Sequence, residues 1–156
     1  MNQKYIWDTV SEYLRFLKSG STHEDKNVKV LELTLDQLAL AHHLAAPTAV
    51  EDGYPEAPAG DHGYYHTLAS LRFPSFGGYP VGPRTPEPGG SPEVIDADAL
   101  DDIAAIALDL EKVAWALENA SESEAVRYFK HGFEARWGMR LRNLQRYVHA
   151  FRFPPR

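Results

Sequence analysis

Proline placement constrains this chain more than any other feature. Nine of its eleven prolines and eight of its eleven glycines fall within residues 46–94, and residues 95–153 hold no proline at all. Proline removes a backbone donor and clashes with the preceding helical turn, so long helices are open to the flanks and closed to the middle. The middle run, Pro47 to Val94, carries six aromatics: Tyr54, Tyr64, Tyr65, Phe73, Phe76 and Tyr79. Disordered segments are poor in such residues. An ordered strap packed on the helices is expected, with a short helix near Asp61–Leu71 and its most mobile part around Thr85–Ser91.

Apolar spacing sets the helices. Ile6, Val10, Tyr13, Leu14 and Leu17 recur at helical intervals from about Gln3 to Lys18, before the Ser19-Gly20 stop. From about Asp25 to Ala45, Val28, Leu31, Leu35 and Leu38 share the circumference with Leu33, Leu40 and Leu44. So apolar a helix is expected at the centre. A third, Asp96 to Asn119, presents Leu100, Ile103, Ala107, Leu110, Ala114 and Leu117. Ser121 then caps a last helix with Glu124 in capping-box position. That helix runs to about Phe151 and buries Val126, Phe129, Phe133, Trp137, Leu141, Leu144, Val148 and Phe151. The expected fold class is all-α: a helical bundle of four long helices plus a short one, with a long Pro/Gly/aromatic-rich irregular strap. Residues 1–156 read as a single helical domain, with 46–94 as the strap and 96–151 as an antiparallel helical hairpin.

The 156 residues suffice for a core, since a chain of this size buries roughly 70% of its unfolded surface. The chain has no cysteine, which excludes disulfide scaffolds, zinc fingers, thiol nucleophiles and thiolate-bound clusters. No apolar stretch approaches the roughly 18 residues of a membrane span, so a cytoplasmic protein with no membrane association is expected. A net charge of −6 disfavours nucleic acid, although Arg136, Arg140, Arg146 and Arg152 give the last helix a basic row.

Charge is segregated along the chain. Residues 91–124 contain ten acids and one base, Lys112, whereas residues 125–156 contain eight bases and one acid, Glu134. Asp98, Asp102 and Asp109 lie within about 40° of one another at the border of the apolar face. With a turn centred near residue 122, Asp102 falls opposite Arg140 and Asp109 opposite Arg136. Such pairs can simply fix how the hairpin docks. They can also line a polar pocket under the strap, for which the candidate ligand-binding residues are Asp102, Asp109, Arg140, Trp137, His149 and Tyr79. A second stripe comprises His131, Glu134, Gly138, Arg142, Gln145 and His149. Glycine costs about 1 kcal/mol inside a helix, so Gly138 predicts a close neighbour: another helix, a strap tyrosine or a ligand.

Chemical motifs are sparse. The seven histidines include His62 and His66 one turn apart, adjacent His42 and His43, and His131 three residues before Glu134. No Glu-x-x-His of the di-iron kind, His-Glu-x-x-His or EF-hand loop occurs, so no metal or cofactor is expected. Phosphate-loop, dinucleotide and Gly-x-Ser-x-Gly patterns are absent. Asp101 and Asp102 point about 100° apart on a helix, the wrong geometry for an acid–base pair.

The run Phe133-Glu134-Ala135-Arg136-Trp137-Gly138-Met139-Arg140, with Arg146 and His149, resembles the ending of a bacterial family known only as a domain of unknown function. Asp101-Asp102-Ile103-Ala104-Ala105-Ile106-x-x-Asp109-Leu110 and the aromatic at Tyr79 are similar to it as well. That family's pattern often carries histidine where Arg136 and Arg140 stand here, and arginine at Met139. Arginine does not ligate metals, so only a positive or hydrogen-bonding role carries over. The resemblance implies an all-helical bacterial fold and assigns no catalytic residue. The expected function is a non-enzymatic protein-interaction module whose partner is another protein. The alternatives are a small-molecule binding protein or enzyme using the polar pocket, and a toxin-neutralising, immunity-like protein.

Overall fold

A computed structural model of the chain describes residues 3–46, 56–82, 88–89 and 94–156. The fold is all-α. Among the described residues, its helices are α1 (Lys4–Ser19), α2 (Glu24–Leu44), α3 (His62–Arg72), α4 (Ala99–Asn119), α5 (Glu122–Gly132) and α6 (Gly138–Arg152). A π turn, Phe133–Trp137, joins α5 to α6. Two short strands, β1 (Gly78–Val81) and β2 (Ile95–Asp98), pair antiparallel with Tyr79 opposite Ala97. Tyr54 and most of Thr85–Ser91 lie outside the described residues.

Short polar side chains start three of the helices. Asp61 accepts from the Tyr64 amide at 3.1 Å, Asp98 from the Leu100 amide at 2.8 Å, and Ser121 from the Glu124 amide at 3.0 Å. The cap at Asp98 explains why the fourth helix begins later than Asp96. Residues 95–98 are extended because β1 supplies their hydrogen bonds; Ile95 and Ala97 alternate with Asp96 and Asp98, but the run is only four residues long and runs straight into the next helix, so it reads as that helix's start.

The central helix is α4, not α2. It touches α1, α3, α5 and α6, and Ile103, Ala104, Ile106, Ala107, Leu110, Val113 and Ala116 are all sealed from solvent. Its alanines let neighbours approach on several sides, which a helix studded with leucine does not permit. By contrast, Leu33, Leu40 and Leu44 of α2 face outward. Leu117 and Phe151 are each 37% exposed rather than sealed in the core, contrary to the spacing argument.

The strap is fastened by rings. Phe16 meets Phe73, Phe73 stacks on Phe76 at 4.6 Å, Phe76 meets Tyr147 at 5.0 Å, and Tyr147 meets Tyr79 at 5.0 Å. Arg72, at the end of α3, donates to the last carbonyls of α1, Leu17 and Lys18, at 3.0 Å each.

The expected single last helix is interrupted by the π turn, and phase explains why. Ala125, Val126, Phe129 and Gly132 form the buried side of α5, and Trp137, Leu141, Leu144 and Val148 that of α6. On an uninterrupted α-helix these two faces would point roughly 120° apart. One extra residue in a wide turn reduces the mismatch to roughly 20°. Gly138 is the residue that turn needs, because its amide donates to the Phe133 carbonyl across it. A Cβ at Gly138 would sit 2.3 Å from that carbonyl oxygen and 2.9 Å from the Phe133 ring. The close neighbour predicted for Gly138 is therefore its own helix, not another helix or a strap tyrosine.

Gly138→Ala in an ordinary helix would gain about 1 kcal/mol. Here it is expected to lose about 1–3 kcal/mol by overpacking the wide turn, seen as a lower urea midpoint with unchanged slope. A raised midpoint would contradict the packing account.

Candidate functional site

The first turns of α4 carry adjacent carboxylates whose surroundings differ. Asp102 is 3% exposed and turned under the strap, while Asp101 stands half in solvent. A buried carboxylate must have its oxygens satisfied. The Tyr79 hydroxyl donates to Oδ2 of Asp102, and Arg140 Nη1 donates to Oδ1 at 2.9 Å. The same nitrogen reaches Asp101 Oδ2 at 3.1 Å, and His62 Nε2 meets Asp101 Oδ1 at 2.8 Å. Two turns along α4, Asp109 Oδ1 accepts from Arg136 Nε at 3.1 Å and Nη2 at 2.9 Å. Both cross-helix pairs are those the hairpin register predicts.

Burial raises the Asp102 carboxyl above its ordinary value, and hydrogen bonds from Tyr79 and Arg140 only partly restore its charge. The Tyr79 hydroxyl is pushed far up, first by burial and then by its bond to Asp102, so it keeps its proton and acts as a donor. Burial opposes the charge on Arg140, yet its bonds to Asp102 and Asp101 outweigh that and hold the guanidinium above its usual value. Each Asp102 oxygen thus has a donor. This arrangement orients Arg140 and ties the strap to the hairpin, and it engages both Asp102 oxygens within the chain.

The predicted pocket assembles only in part. Tyr79, Asp102 and Arg140 come together, and Asp109 pairs separately with Arg136. Beside Asp102 lies a cleft of about 570 Å³ bordered by Gly78, Asp98, Asp101 and Asn143, and neither Trp137 nor His149 lines it. Trp137 is sealed in the interior between Phe129 and Phe133, because the π turn rotates it onto the core face. His149 is exposed and packs on Phe153 at 5.1 Å.

Two members of the second stripe, Glu134 and Gln145, dock on α2. Glu134 meets His42 Nε2 at 3.4 Å, Gln145 donates to Asp36 at 2.9 Å, and His42 stacks on Phe133 at 4.0 Å. Among the described residues, no three His, Asp or Glu side chains gather as a metal site would require. The tie between His62 and Asp101 went unforeseen in the sequence; the one available hint was that His62 opens α3, directly after its Asp61 cap.

No protein-family model matches the chain, and no curated protein matches it. A solved structure, protein BF1032 from Bacteroides fragilis, superposes on it with a TM-score of 0.71 at 17% identity, over 96% of this chain and 90% of that one. At that identity the likeness shows a shared fold alone.

Arg140→Met leaves Asp102 with one donor. It is expected to cost about 1–3 kcal/mol at neutral pH, less than the roughly 3–5 kcal/mol of a sealed pair, because the Arg140 side chain is 43% exposed. In urea titrations Asp102→Asn/Arg140→Met should lose less than the sum of its single variants. The sign of the pH effect follows from the raised Asp102 value. Its contribution is fully present below the ordinary carboxyl value of 3.8 and is lost as pH rises through the folded value. The stability of the parent chain relative to Asp102→Asn should therefore grow on acidification from neutrality; a shrinking difference would mean that the ion pair outweighs burial.

Proposed function

We propose that this chain is a non-enzymatic interaction module that docks an amphipathic helix of a protein partner along the outer face of α2. One observation carries the proposal. Val30, Leu33, Gln37, Leu40 and Leu44 follow one another at steps of three and four on the solvent side of α2, with Leu33 59% and Leu40 50% exposed. Alternating steps of three and four make the seam of a helix pair, and a polar residue within such a seam fixes register. Contiguous apolar stripes of this kind are unfavourable in water unless something covers them. Beside the stripe, Tyr5, Asp8 and Glu12 of α1 complete a shallow cleft of about 490 Å³, giving the apolar seam a polar rim.

The alternatives draw less support. A reaction centre at Asp102 would need an unoccupied acid or base, and its oxygens are already bound. A toxin-neutralising surface would need free acids on α4 and the start of α5. Five of the seven acids of α4 and α5, Asp101, Asp102, Asp109, Glu111 and Glu124, have partners within the chain, which leaves only Glu118 and Glu122 for such a surface.

A photo-crosslinking residue at Gln37, introduced into the full chain in its own cells, is expected to trap a discrete protein. Leu33→Lys/Leu40→Lys should abolish the crosslink while shifting stability by no more than about 0.5 kcal/mol per site, as exposed substitutions do. Crosslinks that survive the double substitution would refute docking at this face, and a crosslink to a second copy would replace the partner helix by α2 itself.

A further inference from the structure

A second depression lies across the helical hairpin, on residues outside the α2 stripe. It occupies about 740 Å³ between α4, α6 and the end of the strand pair, within the range of small-ligand sites at about 300–1,000 Å³. Among the described residues, four cationic side chains line it, Lys112, Arg136, Arg140 and Arg146, against one carboxylate, Asp109.

These cations are of two kinds. Arg136 and Arg140 are held by Asp109 and by the Asp101–Asp102 pair, which fixes where their guanidiniums point. Holding them does not exhaust them. Arg136 uses Nε and Nη2, and Arg140 uses Nη1, so other N–H donors of both carry no bond to a described residue. Lys112 and Arg146 make no hydrogen bond or ion pair with any described residue. Two uncompensated cations beside two pre-oriented guanidiniums suit a dianion, and the guanidinium fork matches phosphoryl oxygens.

Apart from Asn143, the rest of the lining is apolar. Leu108 and Met139 flank the cationic row, and Val81 and Ile95 close one end. Met139 and Ile95 leave much of their surface in solvent. Among the described residues no aromatic ring lines the groove, so they offer no stacking face for a nucleobase. We infer that this groove binds a phosphate monoester with an aliphatic body, its phosphoryl group among the arginines and its carbon chain against Leu108 and Met139. Such a group occurs both in soluble metabolites and in lipid headgroups, and the chemistry recognised is the same.

The test uses the full chain and three probes: hexyl phosphate, inorganic phosphate and hexylammonium. Calorimetry should show saturable binding of hexyl phosphate, at least about tenfold tighter than inorganic phosphate, and no binding of hexylammonium. Amide shifts on titration should centre on Leu108, Met139 and Asn143. Lys112→Gln/Arg146→Gln should weaken hexyl phosphate at least about tenfold with an unchanged melting temperature, since neither side chain holds the fold. Sedimentation with vesicles separates the sources: retention on phosphatidic acid but not on phosphatidylcholine marks a lipid ligand, and hexyl phosphate binding without vesicle retention marks a soluble one. The inference is overturned if hexyl phosphate fails to saturate, if inorganic phosphate binds equally well, if the shifts fall elsewhere, or if the double variant binds like the parent.

Discussion

The wide turn between α5 and α6 determines where every side chain after Trp137 falls. Two apolar faces that an unbroken helix would send in different directions both meet α4, since one residue is accommodated without being given a place in the α-helical repeat. Arg136 sits within that turn and Arg140 one α-turn beyond it, so the turn also decides which guanidinium reaches which aspartate. Hydrophobic phase comes first here, and the electrostatic seam follows from it.

Asp102 then converts the seam into a clasp. Taken out of water, its carboxylate needs donors from two directions. Arg140 comes from the hairpin and Tyr79 from the strap, so a residue far from the hairpin's own turn is recruited to it. Tyr79 also meets Tyr147, whose hydroxyl accepts the Gly77 amide at 3.1 Å. The part of the strap that follows α3 is thus held by ring contacts, its pairing with β2 and a few directed polar bonds.

Much of this was legible in the sequence. Helix spacing located α1 and α2 to within a residue or two, Asp61 marked the start of α3, and charge segregation with a short turn was enough to pair Asp102 with Arg140 and Asp109 with Arg136. What was missed depends on quantities that spacing does not carry. The count of apolar residues made α2 look central, because counting leucines does not say how many neighbours a helix has; α4, with small residues on several sides, takes that place. Gly132 and Gly138 bracket the wide turn, and the phase break between the faces of α5 and α6 was present in the sequence. It went unread because Phe133 bridged the two faces in a single-helix count. The turn rotates Trp137 onto the core face, away from Arg140, whereas His149 shares α6 with Arg140 but, nine residues on, lies on its opposite side. Lys112 was noticed as the lone base of an acidic stretch, but its place beside Arg136 required the hairpin in three dimensions.

The separation of charge along the chain bears on how the protein is made. One of the twenty-two acids and eight of the sixteen bases follow Glu124, so the polypeptide leaving the ribosome is strongly anionic until residues 125–156 emerge. During that interval Asp102 and Asp109 lack the arginines that neutralise them, and mutual repulsion keeps the α4 region from settling into a sealed interior. Emergence of the α5–α6 segment that carries Arg136 and Arg140, rather than the appearance of any earlier helix, is the step that lets the native arrangement close.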